Sequence, residues 1–211
     1  MGIRFGKEFG HEFFGEVEAV GAEVKDIKVG MRVGVNPITA KRVGRRLSLE
    51  VGGFSQYVLI EDAALNYNLY EMNDQVTPEE AVLMEPMSVG FHGAFSVKPK
   101  QGECIVVLGA GPIGLSAAAG LIGEGIDNVI VVDMDEFRLE KAASIGAKTI
   151  NTKHVVLADG LAERAVTVDV YGQPMPNIDA FIDTAGAPSL FKEVMTLVID
   201  HLNKKKTPIS N

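Results

Sequence analysis

The chain has 211 residues, enough for one large domain or two small ones at roughly 100–200 residues per domain. Hydrophobic residues make up 46% and charged residues 23%, which excludes a disordered composition. With 20 basic against 28 acidic side chains the formal net charge is −8, so neither a nucleic-acid backbone nor an anionic membrane is an expected partner. The single cysteine, Cys104, excludes an internal disulfide framework and a cysteine-rich zinc module. The longest apolar run, within Leu115–Gly123, is too short to span a bilayer. Met1-Gly2-Ile3-Arg4-Phe5-Gly6 has no secretory apolar segment, and the cytoplasm is the expected location.

The first third alternates short apolar stretches with glycines. Phe13–Gly21 and Gly30–Val35 read as strands, the second ended by Asn36-Pro37. Phe54–Ile60, entered through Gly52-Gly53, reads as a third. Strands without an intervening helix indicate a β-rich unit. Lys41–Arg46 carries four basic residues beside glycine and reads as a solvated loop. Next comes a helix start, with Thr77 as N-cap, Pro78 at the first position and Glu80 completing a capping box. Pro86 should break this segment into two short helices, with Glu85 at the junction.

From Cys104 the pattern becomes strand–helix–strand. Cys104–Leu108 is a continuous apolar run, as in a strand buried on both faces of a parallel sheet. A helix over Ile113–Ile122, a strand over Asn128–Val132 and a helix over Phe137–Ile145, stopped by Gly146, follow. Lys148–Asn151 and Ile178–Thr184 read as further strands, with a helix over Val156–Val166 between them. In the last periodic segment Phe191, Val194, Met195, Val198 and Leu202 share one helix face. The polar tail after it is expected to fray.

Gly109-Ala110-Gly111-Pro112-Ile113-Gly114 matches G-x-G-x-x-G. Alone the pattern also fits a tight turn beside an unrelated surface aspartate. Its setting is more specific: a strand precedes it, a helix follows, and Asp133 ends the next strand 24 positions after Gly109. Gly109 permits the turn, Gly111 admits a pyrophosphate to the backbone, and Gly114 allows close helix–strand packing. The helix N-terminus then offers N–H groups and partial positive charge to phosphates. Asp133 can accept hydrogen bonds from ribose hydroxyls and would repel a 2′-phosphate, which favours NAD over NADP.

Several segments, in order, resemble the zinc-dependent medium-chain alcohol and polyol dehydrogenases. Gly10-His11-Glu12-Phe13-Phe14-Gly15 followed by Gly21 is similar to that family's G-H-E signature, and Val29–Val33 to its G-D-R-V turn, with Met31 in place of the aspartate. Gly52–Tyr57 resembles G-G-F-A-E-Y, and Met84–Val89 resembles E-P-L-A-V. The glycine-rich turn, Asp133 with Arg138, and Phe181–Gly186 continue the series to about residue 190. Glu85 in place of a cysteine is similar to the sorbitol, threonine and butanediol dehydrogenase branch.

The resemblance implies an α/β protein: a partial GroES-like β-rich catalytic domain over residues 1–90, a partial Rossmann NAD-binding domain with a truncated doubly wound parallel sheet over 91–202, and a polar tail over 203–211. It places a catalytic zinc between the domains, with His11 and Glu85 as ligands. By the same resemblance Glu12 would be the neighbouring catalytic carboxylate, exchanging onto the metal or supporting a ligand. Gly109, Gly111, Pro112, Ile113, Gly114, Asp133 and Arg138 would hold NAD. The implied reaction moves a hydride between a secondary alcohol or polyol and NAD. A non-catalytic NAD-binding remnant or fragment of such an enzyme is the alternative.

The family's third zinc ligand is a cysteine upstream of the G-H-E motif, and no cysteine precedes Gly10. The catalytic site is therefore expected to be incomplete. The family's structural-zinc lobe carries four cysteines between the segments that are here Asn36-Pro37 and Gly52-Gly53. That interval is short and holds none, so no structural zinc is expected. The family also continues with two further strands after the last helix seen here. Their absence would leave a sheet edge unpaired, so association between copies through that edge is an expected partnership. His92 lies seven residues from Glu85, about 10 Å along a helix, and is not expected to share its ion.

Overall fold

Hydrogen-bond pairing in the first third confirms two of the three expected strands and replaces the other. In the computed structural model, which describes residues 10–42, 44–46, 52–170 and 173–206, the chain divides into two units, Met1–Pro86 and Met87–Asn211. In the first unit β1 (Phe14–Glu16) pairs antiparallel with β2 (Arg32–Val35), with Phe14 opposite Gly34 and Glu16 opposite Arg32. The basic segment expected as a loop is a tight hairpin of β3 (Lys41–Arg42) and β4 (Arg45–Arg46). The third strand of the main sheet is β5 (Leu69–Glu71), on the free side of β2 with Leu69 opposite Val35.

Phe54–Ile60 forms no ladder strand. Residues 54–56 form a turn and bend, and the alternation survives only over the last four residues: Tyr57 and Leu59 are exposed while Val58 and Ile60 pack on the core. Period-2 patterning reports which side faces the core, not whether a partner backbone lies alongside. That core holds Ile27, Val33, Val35, Ala40 and Leu69. Beside it an apolar cavity of about 460 Å³ opens among Phe13, Val17, Val24, Val33, Val58 and Ile60. Asn68, a buried polar residue, is satisfied locally: its Oδ1 accepts from Ala64 N–H (2.8 Å) and its Nδ2 donates to Asp62 O (3.0 Å).

The capping box forms as expected. Thr77 Oγ1 accepts from Glu80 N–H (3.2 Å), Glu80 Oε2 accepts from Thr77 N–H (2.8 Å), and α1 (Pro78–Ala81) begins at Pro78. The break, however, falls at Val82-Leu83, before Pro86. Helix α2 (Met84–Ser96) runs through Pro86 at its third position. There the missing N–H costs nothing, because the first turn has no intrahelical acceptor for it. Met84, the first residue of α2, occupies the space over β2 that Gly34 leaves by lacking a Cβ.

The second unit is a four-stranded parallel sheet covered on both faces. Along the chain run β6 (Cys104–Leu108), α3 (Pro112–Gly123), β7 (Asn128–Asp133), α4 (Glu136–Ser144), β8 (Lys148–Asn151) and α5 (Leu157–Arg164). A hairpin absent from the sequence reading follows, β9 (Thr167–Val170) with β10 (Gln173–Pro176), then β11 (Ala180–Asp183) and α6 (Pro188–Lys206). The sheet order is β11-β6-β7-β8, all parallel. Ile105 and Val107 point to a core shared with Ala94 of α2, Ala117 and Leu121 of α3, and Leu139 of α4. Val106 and Leu108 point the other way, toward Leu157 and Leu161 of α5 and Val194 of α6. Burial on both faces explains the unbroken apolar run of β6. Gly90 makes a close helix crossing possible, since a Cβ there would stand 2.5 Å from Ser116 Cβ on α3.

Helix α6 continues to Lys206, into the segment expected to fray, and its inward face is shifted from the expected one. Leu190, Val194, Leu197 and Val198 pack on the core, whereas Phe191 (52%) and Met195 (40%) are exposed. The apolar stripe is broader than the contact, and periodicity alone does not mark which edge is buried. The side chain of Leu202 lies outside the described residues. Among the described residues no helix is long and apolar enough to cross a membrane.

Candidate functional site

In the first unit the segment carrying His11 is anchored by the two-glycine segment. Gly10 adopts φ +86° and its carbonyl accepts from Gly53 N–H (3.0 Å). A Cβ on Gly10 would stand 2.6 Å from Phe54 Cε2, so the Phe54 ring lies flush against this backbone. On the other side, Arg32 of β2 donates to Asn73 O (3.2 Å) and fixes the approach to Thr77, α1 and α2. It also stands 5.0 Å from the centroid of Phe14 on β1. These contacts bring Gly10-His11 and the first turn of α2 to one place.

The result is a cluster of three metal-capable side chains. One ligand atom each from His11, Glu12 and Glu85 lies within 4.8 Å of the others. His11 Nε2 and Glu85 Oε1 are 3.6 Å apart, with side-chain exposures of 40% and 14%. Two ligands at about 2.0–2.1 Å from a tetrahedral zinc lie about 3.4 Å apart. One imidazole nitrogen and carboxylate oxygens form a donor set that zinc accepts, so these residues fit the metal the family implies. Partial burial pushes the Glu85 carboxyl above its ordinary range; His11 opposes this and the Glu12 charge adds to it. A cation among them would offset both the burial and the like-charge repulsion. His92 is exposed on α2 and Cys104 is buried in β6; neither belongs to the cluster.

The glycine-rich turn lies at the carboxyl end of β6. Chain order runs outward through β7 and β8 on one side of β6 and places β11 on the other. That is a topological switch point, where open α/β sheets bind ligands. Gly109 has φ +101°, a conformation glycine adopts without strain, and its N–H donates to Val132 O (2.7 Å). A Cβ on Gly114 would overlap Gly109 O and approach Thr184 Oγ1 to 2.7 Å, so packing demands glycine there. Gly111 differs. It is the N-cap of α3 at φ −73°, open to any residue, and a Cβ there would meet no atom of the described residues within 4 Å. Nothing in the packing of the described residues requires glycine at 111.

Pro112 and Ile113 form the first turn of α3, and the first intrahelical bond runs from Leu115 N–H to Gly111 O (2.9 Å). The amides ahead of it face the turn with no side-chain cap. Asp133 is held by backbone: Oδ2 accepts from Ala110 N–H (2.7 Å), and Oδ1 from Met134 N–H (2.7 Å) and Asp135 N–H (2.9 Å). These bonds occupy both lone pairs of Oδ1 and one of Oδ2, so Oδ2 keeps one for a further donor. Arg138 is exposed near the start of α4, its N–H bonded to the N-cap Asp135 (3.1 Å). Sequence reasoning gave no role to Thr184, whose hydroxyl reaches the turn from the end of β11. A short polar residue directly after a buried parallel strand is the signal that marks such positions.

The Alcohol dehydrogenase GroES-like domain model matches residues 2–69, and the TrkA-N domain model matches residues 105–165. L-threonine 3-dehydrogenase of Photorhabdus laumondii is 34% identical over 202 residues, 88% of this chain and 55% of its own length. Sorbitol dehydrogenase of Bacillus subtilis is 34% identical over 207 residues, 90% of this chain and 55% of its own. The crystal structure of an alcohol dehydrogenase from Escherichia coli CFT073, complexed with NADH, superposes with a TM-score of 0.70 at 32% identity. It covers 89% of this chain and 57% of that one. The chain thus spans about half the length of the relatives it matches. Through an N-terminal GroES-like match, a doubly wound parallel sheet and similarity across nearly all of its residues, this chain resembles the zinc-dependent medium-chain alcohol dehydrogenases.

Proposed function

We propose that this chain carries the metal-binding and NAD-binding parts of an oxidoreductase that moves a hydride between a secondary alcohol or polyol and NAD. The observation that carries the reading is the convergence of His11, Glu12 and Glu85, within 4.8 Å, in a chain that also has an unblocked glycine at position 111. His11 Nε2 and Glu85 Oε1 would hold zinc, and Glu12, exposed beside them, would exchange onto the metal or support a ligand. When bound, zinc supplies Lewis acidity that stabilises an alcohol oxygen as alkoxide. The α3 N-terminus would receive the pyrophosphate, and Gly111 would keep the approach clear. Asp133 would accept the ribose hydroxyls, and its charge would disfavour a 2′-phosphate. Arg138 would flank the same ribose. The hydride chemistry belongs to the cofactor; these residues bind and orient it.

With two or three side-chain donors from this chain, the metal site is short of the usual set of three plus an open position unless Glu12 serves as a ligand. The deciding experiment is zinc content by plasma emission spectroscopy on folded protein purified without chelators, beside His11→Ala. About one zinc per chain, lost in the variant, supports the metal reading. Folded protein without zinc sinks it and leaves NAD binding alone.

A further inference from the structure

The peptide between Gly109 and Ala110 is gripped at both ends. Its N–H, on Ala110, donates to Asp133 Oδ2 at 2.7 Å. Its carbonyl oxygen, on Gly109, lies 3.3 Å from Thr184 Oγ1, and the same hydroxyl is 2.8 Å from Leu108 O. The Thr184 N–H also donates to Leu108 O at 2.9 Å, continuing the pairing of β11 with β6 by one residue. The hydroxyl sits in the angle between two of the motif's glycines. It stands 3.0 Å from where a Cβ on Gly109 would be and 2.7 Å from one on Gly114. Thr184 is half-buried, so this contact is poorly accessible to competing water.

We propose that the Thr184 hydroxyl is a positioning group for phosphate binding, holding the Leu108 and Gly109 carbonyls toward β11 and away from the anion. This inference rests on the reading of the glycine-rich turn as a dinucleotide site. The physical need is specific. Gly109 at φ +101° has no side chain to limit its rotation, so the peptide after it is free to turn about its axis unless both ends are held. A turned peptide would aim a carbonyl dipole at the pyrophosphate in place of the N–H groups of the α3 N-terminus. Asp133 restrains the N–H end and Thr184 the carbonyl end. The hydroxyl has one proton, which goes chiefly to Leu108 O, the shorter contact, with Gly109 O as its second acceptor. In this role Thr184 acts through the backbone it holds.

The test uses the full chain, with Thr184→Val to remove the hydroxyl at nearly constant shape and Thr184→Ser to keep it. Affinity for NADH and for adenosine is measured by calorimetry, together with the thermal midpoint. Adenosine engages the Asp133 side of the site without a phosphate. Thr184→Val should bind NADH about fivefold more weakly, the factor expected for one net hydrogen bond, with adenosine affinity unchanged and Thr184→Ser close to the parent chain. Equal loss for NADH and adenosine would mean general disruption and overturn the proposal. So would NADH affinity unchanged in Thr184→Val, or lost equally in Thr184→Ser. A parent chain that binds no NADH would overturn the dinucleotide reading itself. A parent chain that binds it alongside an unaffected Thr184→Val would overturn the role of Thr184 alone.

Discussion

Replacing Gly111 by alanine separates a glycine kept for a ligand from one kept for the fold. Position 111 has φ −73° and ψ −179°, and the added methyl would meet no atom of the described residues within 4 Å. Restricting the unfolded chain should gain about 0.4–1 kcal/mol. Alanine is a poorer N-cap than glycine, a loss of about 0.5–1 kcal/mol. The two nearly cancel, so the thermal midpoint should move by no more than about 2 °C for a chain of this size. Gly114→Ala behaves differently, because its methyl would overlap Gly109 O and crowd Thr184 Oγ1. There a helix-propensity gain of about 1 kcal/mol opposes an overpacking cost of about 1–3 kcal/mol. NADH binding should fall at least about tenfold in both variants, equivalent to about 1.4 kcal/mol, but only Gly114→Ala should lower the midpoint. The chain has no tryptophan, so the titration follows NADH emission or heat. Gly111→Ala with parent-like NADH affinity would refute the argument, since the open space at 111 would then not be ligand space. A midpoint drop matching that of Gly114→Ala would refute it equally.

Thr77→Ala should cost about 1 kcal/mol and lower the midpoint by about 3 °C, because it removes the side chain that caps α1. The same box has a pH signature. Bonds from the Thr77 backbone and hydroxyl hold the Glu80 carboxyl below its ordinary range. Its contribution is therefore complete above the ordinary carboxylate range and lost as pH falls through the lowered value; Thr77 amide shifts in an acid titration by NMR should follow that loss. Burial pushes the Cys104 thiol up, opposed by Lys148 and reinforced by Asp179. Folded protein should then resist iodoacetamide at mildly alkaline pH and react only on unfolding, and the thiol's stabilising contribution should fade as pH rises above the ordinary thiol range. Alkylation at the rate of a free thiol in folded protein would contradict the buried placement. Asp133→Asn should narrow the preference for NADH over NADPH by removing the charge that repels a 2′-phosphate. It should also weaken NADH binding, since an amide nitrogen must replace an oxygen that now accepts from backbone. An unchanged ratio of the two affinities would count against Asp133 as the ribose residue.

Local signals in the sequence carried the second unit almost completely. The Cys104–Leu108 run, the glycine turn and the Asp133 spacing each depend on neighbours within one strand–turn–helix unit, so their meaning survives without knowledge of distant contacts. The Thr77 capping box was legible for the same reason. The first unit was less so. The strands of its main sheet are three or four residues long, and β2 pairs with β5 across a wide gap in the chain. The Phe54–Ile60 segment shows the sequence pattern of a strand yet forms no ladder strand, and Leu69–Glu71 has a partner with almost no pattern.

The candidate site divides along the same line. Motif order and spacing determined by themselves that the glycine turn was a segment to watch, and the resemblance carried by the G-H-E and E-P segments added His11 and Glu85, because motif spacing is a property of the chain. Tertiary structure decided that His11 and Glu85, 74 positions apart, stand 3.6 Å from each other, because Gly53 holds Gly10 and Met84 packs over Gly34. It also decided that glycine at 111 serves no packing need while glycine at 114 does, and that Thr184 reaches back to the turn. A sequence records which groups exist and which neighbours they have along the chain; proximity between distant segments is created only when burial and backbone pairing fold them onto a common surface.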